Sequence, residues 1–195
     1  MKKYLPSDQA QLSLGIGSDI PTERLFFAVL PDPLTAERVA ELAEGLRDEH
    51  GLEGLPLAAE RLHITLHHVG DYAGLPPSLL AKVRQAAARV RSPEFEVCFD
   101  QVGSFAGNQK SPFVLRSEYG AELLHDLHAE LARCLHSVGS KVDPRFTPHM
   151  TLLYDRRRMP IQPVQPLRWF VREFVLIRSF LGQSRYQLEG CWQLG

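Results

Sequence analysis

Two short segments of the chain carry residue types suited to phosphoryl chemistry. His63-Ile64-Thr65-Leu66 and His149-Met150-Thr151-Leu152 repeat one pattern, His-x-Thr-x with an aliphatic or methionine filler. In a β-strand successive side chains point to opposite faces. Each segment therefore turns an imidazole and a hydroxyl to one side and an apolar pair to the other. Histidine takes or gives a proton near neutral pH, and a threonine hydroxyl donates to a phosphate oxygen. Opening a cyclic phosphate needs a base for the attacking water and an acid for the departing ribose oxygen. These two oxygens lie roughly in line through phosphorus, so acid and base must come from opposite sides. One motif cannot supply both; two facing motifs can. Positioned acid or base groups accelerate such steps roughly 10²–10⁴-fold, and the threonines would hold the non-bridging oxygens as charge develops. A single His-x-Thr-x is an ordinary strand segment; the duplicated pattern carries the signal.

The elements that must position these residues read as two similar halves. Leu25 to Leu30 is a short apolar strand stopped by Pro31. Asp32 is placed to cap a helix with Pro33 at its first position, and Gly51 to end it. The first motif follows as a strand, then a turn-rich stretch from Gly70 to Pro77 and a helix from about Ser78 to Val90. The second half offers strands at Phe95–Val102 and Phe113–Leu115 and an amphipathic helix over Ala121–Val138. Leu123, Leu124, Leu127, Leu131, Leu135 and Val138 line one side of that helix. The second motif then forms a strand. Arg156 to Pro166 is basic and proline-rich, hence a loop, and Trp169–Phe180 with Arg185–Gln193 closes the chain as an antiparallel pair around Gly182. Each motif follows a strand and a helix. The expected fold is α+β and bilobal: two similar halves with antiparallel sheets flanking a central cleft and helices on the outer faces.

Bulk properties agree with an ordinary globular protein. With 195 residues, 44% hydrophobic and 23% charged, the chain can bury a core without staples. A formal net charge of −1 argues against a general nucleic-acid coat protein, though not against an enzyme that grips one end of a strand. Cys98, Cys134 and Cys191 are scattered, as expected of reduced thiols in a cytoplasmic protein. No apolar run approaches a membrane span, and the first residues lack a signal-peptide core. Residues 1–22 read as a flexible N-terminal extension and 23–195 as the catalytic domain. Nothing suggests an oligomeric seam, so a monomer is expected.

Other candidates carry a bland reading beside a functional one. His67 would share the face of His63 and Thr65, lining the cleft, forming a metal-like cluster with His63, for which no nearby carboxylate or cysteine spacing speaks, or ending the strand inertly. His125 and His128 lie three apart on a helix, a spacing zinc pairs use, but no third ligand is indicated and a solvated face is the reading. No metal or other cofactor is expected. Arg156-Arg157-Arg158, just past the second motif, is a solvated turn or a contact to RNA phosphates. Phe105, in a glycine-rich loop, is a stacking candidate, whereas Phe113 and Trp169 suit the core. Gly103-Ser104-Phe105-Ala106-Gly107 lacks the Gly-Lys-Ser/Thr of a nucleotide-triphosphate loop.

At these residues the chain resembles the two-histidine phosphoesterases, in particular the bacterial RNA 2′,3′-cyclic phosphodiesterases, also called 2′-5′ RNA ligases. The similarity runs over roughly Arg24 to Leu194. It includes Arg24-Leu25-Phe26-Phe27-Ala28-Val29, Glu60-Arg61-Leu62-His63-Ile64-Thr65-Leu66, Gly103-Ser104-Phe105, Arg145-Phe146-Thr147-Pro148-His149-Met150-Thr151-Leu152-Leu153, the Phe174-Val175-Leu176 strand and Trp192. The resemblance implies hydrolysis of a ribose 2′,3′-cyclic phosphate to a 2′-phosphate. His63 would protonate the leaving 3′ oxygen, His149 would activate water, and Thr65 and Thr151 would bind the phosphate. Reversible 2′-5′ joining of RNA ends also goes with the family. Many members carry an arginine at the position held here by Tyr154; Arg156, Arg157, Arg158 or Arg145 would have to replace it. Two other functions fit the same residues: a phosphodiesterase for a small cyclic nucleotide or ADP-ribose derivative, and a non-catalytic module that binds RNA ends.

Overall fold

Local sequence accounts for most elements of the computed structural model, which describes residues 20–195. The extension expected over residues 1–22 lies outside the described residues except for its last three. In chain order the elements are β1 (Glu23–Val29), α1 (Pro33–His50), β2 (Ile64–Tyr72), α2 (Pro77–Ala87), β3 (Phe95–Ser104), β4 (Ser111–Arg116), α3 (Glu122–His136), β5 (His149–Asp155), β6 (Gln162–Val171), β7 (Glu173–Phe180) and β8 (Arg185–Gln193). Asp32 caps α1 as expected: its carboxylate accepts from the Thr35 N–H at 3.1 Å and the Thr35 hydroxyl at 2.6 Å. Gly51 ends that helix at φ 60°, a left-handed conformation only glycine adopts without strain. In α3 the buried stripe is Leu124, Leu127, Leu131 and Leu135, while Leu123, counted in it from periodicity, is exposed.

The strands form one antiparallel sheet of eight, ordered β6-β3-β4-β5-β2-β1-β7-β8. Read outward from its centre, the sheet contains the two similar halves, β2-β1-β7-β8 and β5-β4-β3-β6, and the unit β1-α1-β2 is echoed by β4-α3-β5. The halves are joined edge to edge, not as separate sheets, through a single register pair, Ile64 opposite Met150. Seven pairs join β1 to β2 and six join β4 to β5, so the central seam is the weakest line in the sheet.

Chain connectivity forces the sheet to bend. β6 and β7 are linked by Arg172 alone, yet five strands stand between them. A flat sheet would separate them by roughly 29 Å at about 4.8 Å per strand, whereas two residue steps reach about 7 Å. The ends of the sheet therefore curl toward each other. Helices cover one face, where Leu25, Phe27, Val29, Ile64, Leu66, Phe113, Leu115, Met150, Leu152 and Leu153 join the helical leucines in one core. Phe113 and Trp169 belong to it, as their pattern suggested. On the opposite face Phe26, Ala28, Val175 and Ile177 form a small second cluster.

Two expectations fail here for physical reasons. Arg156–Pro166 is not loop throughout: β6 begins at Gln162 and carries Pro163 and Pro166. It is an edge strand, bonded only to β3, and an edge tolerates residues without an N–H. Trp169–Phe180 is likewise not one strand, because its first residues complete β6 at the far edge of the sheet and only the rest forms the hairpin with β8. Cys98, Cys134 and Cys191 are all free. Among the described residues no helix is long and apolar enough to cross a membrane.

Candidate active site

The central seam brings both His-x-Thr-x motifs to one cleft. His63 immediately precedes β2 and His149 opens β5. The seam residues Ile64 and Met150 are their direct neighbours. A cleft of about 570 Å³ on the face away from the helices is lined by His63, Thr65, His149 and Thr151 together. Arg24, Phe26, Leu57, Arg61, His68, Tyr154 and the 179–186 hairpin complete its walls.

The two imidazoles are held alike. Nδ1 of His63 lies 2.7 Å from the Arg61 carbonyl, and Nδ1 of His149 lies 2.7 Å from the Thr147 carbonyl. A carbonyl only accepts, so each Nδ1 carries the proton, and each neutral ring presents Nε2 as a free base. In both cases the carbonyl belongs to the residue two positions upstream, and a short 3-10 turn at Ala59–Arg61 sets up the first. The His63 ring lies between Phe26 and Tyr186, at 5.0 and 5.8 Å between centroids. Phe105 packs edge-on against His149 at 4.9 Å. Burial lowers the pKa of both histidines below the ordinary value, and the carbonyl bonds oppose that shift. For His63 the nearby His149 and Arg61 charges lower it further.

Matching irregularities shape both motifs. Ala28 pairs with Thr65 but Phe27 pairs with His67, which leaves Leu66 as an extra residue. In the other half Val114 pairs with Thr151 and Phe113 with Leu153, which leaves Leu152 extra. A bulge of this kind reverses the alternation beyond it. His67 is thereby turned into the core, contrary to the expectation that it would share the face of His63. It is 3% exposed, its Nε2–H donates to the His128 carbonyl at 2.8 Å, and its ring stacks on His128 at 4.0 Å. His128 is therefore not on a solvated face either: it is buried and stacks in turn on Phe146 at 4.4 Å. His125 alone of that pair is exposed. The residues that do turn into the cleft after the bulges are His68 and Tyr154, which occupy equivalent places in the two halves.

The expected arginines are elsewhere. Arg145 is exposed and its guanidinium is engaged by Asp143 at 2.8 and 3.0 Å; it does not line the cleft. Arg156 lies exposed on the turn after β5, also outside the lining. Arg157 and Arg158 are drawn away by the His50 carbonyl and by Ser111 and Gly107. The cleft instead holds Arg24 and Arg61. Arg61 lies over the Tyr186 ring at 5.1 Å, and its Nε is buried without a hydrogen-bond partner. Period two, carried two residues back from His63, would have found Arg61; nothing local marks Arg24. Buried Asp155 fixes the end of β5. Its carboxylate accepts from the Gly54 and Arg157 N–H groups at 2.7 Å each. Burial alone would raise its pKa, but these donors bring it below the ordinary value. Gly54 has no room for a side chain, since a Cβ would meet the Tyr154 carbonyl. Among the described residues no three His, Cys, Asp or Glu side chains group as metal ligands would.

Comparison with known proteins places this geometry among relatives. A family model described as the 2′-5′ RNA ligase superfamily matches residues 30–179. The RNA 2′,3′-cyclic phosphodiesterase of Escherichia coli K12 is 29% identical over 181 residues, which cover 88% of this chain and 97% of that protein. The crystal structure of E. coli LigT complexed with 3′-AMP superposes with a TM-score of 0.72 at 28% identity, covering 90% of this chain and 99% of that one. A protein of Thermus thermophilus shares the fold, with a TM-score of 0.65 at 23% identity over 87% of this chain and 97% of its own.

Proposed function

Since the chain belongs to the 2′-5′ RNA ligase superfamily, we propose that it hydrolyses the 2′,3′-cyclic phosphate at an RNA end to a 2′-phosphate, with His63 and His149 as acid and base. The observation that carries this reading is the pair of Nε2 atoms left free by matching Nδ1–carbonyl bonds in one cleft. His149 Nε2 takes a proton from water as the oxygen attacks phosphorus. The bond from phosphorus to the 3′ oxygen breaks, and that oxygen takes the proton on His63 Nε2. The products are a 2′-phosphomonoester and a 3′-hydroxyl, with the proton on His149 returned through solvent. Thr65 and Thr151 donate to the non-bridging oxygens, and Arg61 offsets their charge. With a 5′-hydroxyl in place of water, the same steps in the same direction join RNA ends through a 2′-5′ bond; run backwards, they cleave that bond and restore the cyclic phosphate. The E. coli relative is named for its action on RNA 2′,3′-cyclic phosphates, and E. coli LigT was crystallised with 3′-AMP, which supports a terminal nucleotide as the part of the substrate that enters the cleft. The direct test separates 2′- from 3′-phosphate products after incubation with an oligonucleotide ending in a 2′,3′-cyclic phosphate. Formation of the 2′-phosphate is expected; its absence overturns the reading.

The electrostatics fix the expected pH dependence. Turnover needs one ring protonated and the other neutral, so kcat/KM against pH is bell-shaped. Both folded pKa values lie below the ordinary histidine value, so the optimum for free enzyme and substrate falls on the acid side of about 6.5. Above it the acid is lost; below it the base is. An anionic phosphate between the rings favours their charged forms, so kcat should peak at higher pH than kcat/KM. Steady-state rates from about pH 4.5 to 9 check this, and coincident profiles would contradict it.

No metal enters these steps. EDTA is therefore expected to leave the rate unchanged, measured on the same cyclic substrate with and without added Mg²⁺ or Mn²⁺. A loss restored by the ion would assign the charge compensation to a metal instead of Arg61.

A further inference from the structure

The matching bulges leave the cleft chemically lopsided. At equivalent places beyond the two threonines, one wall presents the imidazole of His68 and the other the phenol of Tyr154. His68 is not a free surface side chain. Its Nε2–H donates to Asp71 Oδ1 at 2.8 Å, and the same carboxylate takes both Nε and Nη2 of Arg24 at 2.8 Å each. The bonds from Arg24, with burial opposing and His68 adding to them, hold the Asp71 carboxyl well below its usual range, so it stays ionised. Arg24 cancels that charge, and the cluster carries whatever net charge His68 carries. With Nε2–H donated to Asp71, Nδ1 is the atom left for a ligand; a phosphate oxygen only accepts, so the form of the ring that holds it is the imidazolium, whose Nδ1–H donates. His68 is half-exposed, with 51% of its side chain accessible, and Asp71 and Arg24 keep it in place at that exposure. Ser179 and Ser184 line the same cleft. Along β2, His68 stands three residues beyond Thr65, roughly 7–10 Å once the bulge is allowed for. That is too far to serve the phosphate held between His63 and His149. It matches the next phosphate on a nucleotide.

We infer that His68, braced by Asp71 and Arg24, forms a second anion subsite that takes the 5′-phosphate of the nucleotide whose cyclic phosphate is being opened. The inference rests on the function proposed above and deepens it: the preferred substrate carries two phosphates, as the last nucleotide of an RNA does, and a cyclic mononucleotide with a free 5′-hydroxyl is the poorer one. Tyr154 at the equivalent place offers a phenol and no nitrogen base, so the second phosphate lies against the wall built by β1 and β2 and not against that of β5. His68 here is a specificity residue and takes no part in proton transfer.

The test compares adenosine 2′,3′-cyclic phosphate with the same compound carrying a 5′-phosphate. Wild-type kcat/KM is expected to be about tenfold higher for the latter, the scale of one partly solvated charge contact. In His68→Ala the ratio should fall toward one, and in His68→Arg it should be retained. A ratio near one in the wild type, or an unchanged ratio in His68→Ala, overturns the inference, as does an equal loss on both substrates. Calorimetric titration with adenosine 3′-phosphate and adenosine 3′,5′-bisphosphate separates the two levels of the argument. If neither cyclic compound is turned over but the bisphosphate binds more tightly through His68, the subsite stands and the proposed reaction falls. If both are turned over and the bisphosphate has no advantage, the reaction stands and the subsite falls.

Discussion

Replacing His149 with alanine is expected to lower kcat on a 2′,3′-cyclic phosphate by roughly 10²–10⁴-fold, and His63→Ala to do the same. Each ring supplies one Nε2 to the cleft, and no second imidazole backs it up, because His67 is buried on the other face and His68 is bonded to Asp71 through its own Nε2. The two roles belong to one transition state. The double variant should therefore fall little below the worse single one, since groups that act as a unit are not additive. Stability should change by no more than about 1 kcal/mol in either variant, because both rings face the cleft and the apolar anchors Ile64, Leu66, Met150 and Leu152 remain. Rates are to be read beside urea denaturation curves. Full activity in either variant would end the two-histidine mechanism, and a loss accompanied by unfolding would not support it.

Acidification should weaken the fold through a different pair of histidines. His128 is 6% exposed and stacked between His67 and Phe146. Burial, followed by the nearby His67 and His125 charges, lowers its pKa from 6.5 to about 4, against the opposing pull of the Asp143 backbone and carboxylate. His67 is lowered too, chiefly by burial. The unfolded chain takes up a proton near pH 6.5 where the folded chain does not, so stability is full above that value and is lost as pH falls toward about 4. For His128 alone the loss is on the order of 3 kcal/mol at about 1.4 kcal/mol per pH unit. Urea denaturation at about pH 7, 5.5 and 4.5 measures it. In His128→Phe, which keeps a ring against Phe146, the acid slope should be shallower by about that amount. An unchanged slope would assign the acid sensitivity to carboxylates.

What the sequence made legible was whatever depends on near neighbours. Asp32, Pro33 and Gly51 mark a helix through bonds made within a few residues, and the apolar stripe of α3 follows from its own periodicity. The convergence of His63, Thr65, His149 and Thr151 in one cleft was legible because two copies of a pattern implied two equivalent strands. What depends on a partner strand was hidden. The bulges at Leu66 and Leu152 arise from register with β1 and β4, and alternation along β2 alone therefore put His67, not His68, in the cleft. The prolines of β6 argue against a strand until its place at the sheet edge is known. Arg145 looked free because its neighbour Asp143 can engage it or not according to loop shape. Arg24 reaches the cleft only because β1 lies beside β2.

The one-pair junction between Ile64 and Met150 has a mechanical meaning. Points close to an axis of rotation move least when a body turns about it, and His63 and His149 each sit one residue from that line. Should the halves tilt relative to each other, the rim formed by the 179–186 hairpin would swing through a long arc while the gap between the imidazoles barely altered. Admitting a bulky nucleotide and keeping two proton-transfer groups at a constant spacing are then compatible demands, because one is met at the end of the lever and the other at its fulcrum.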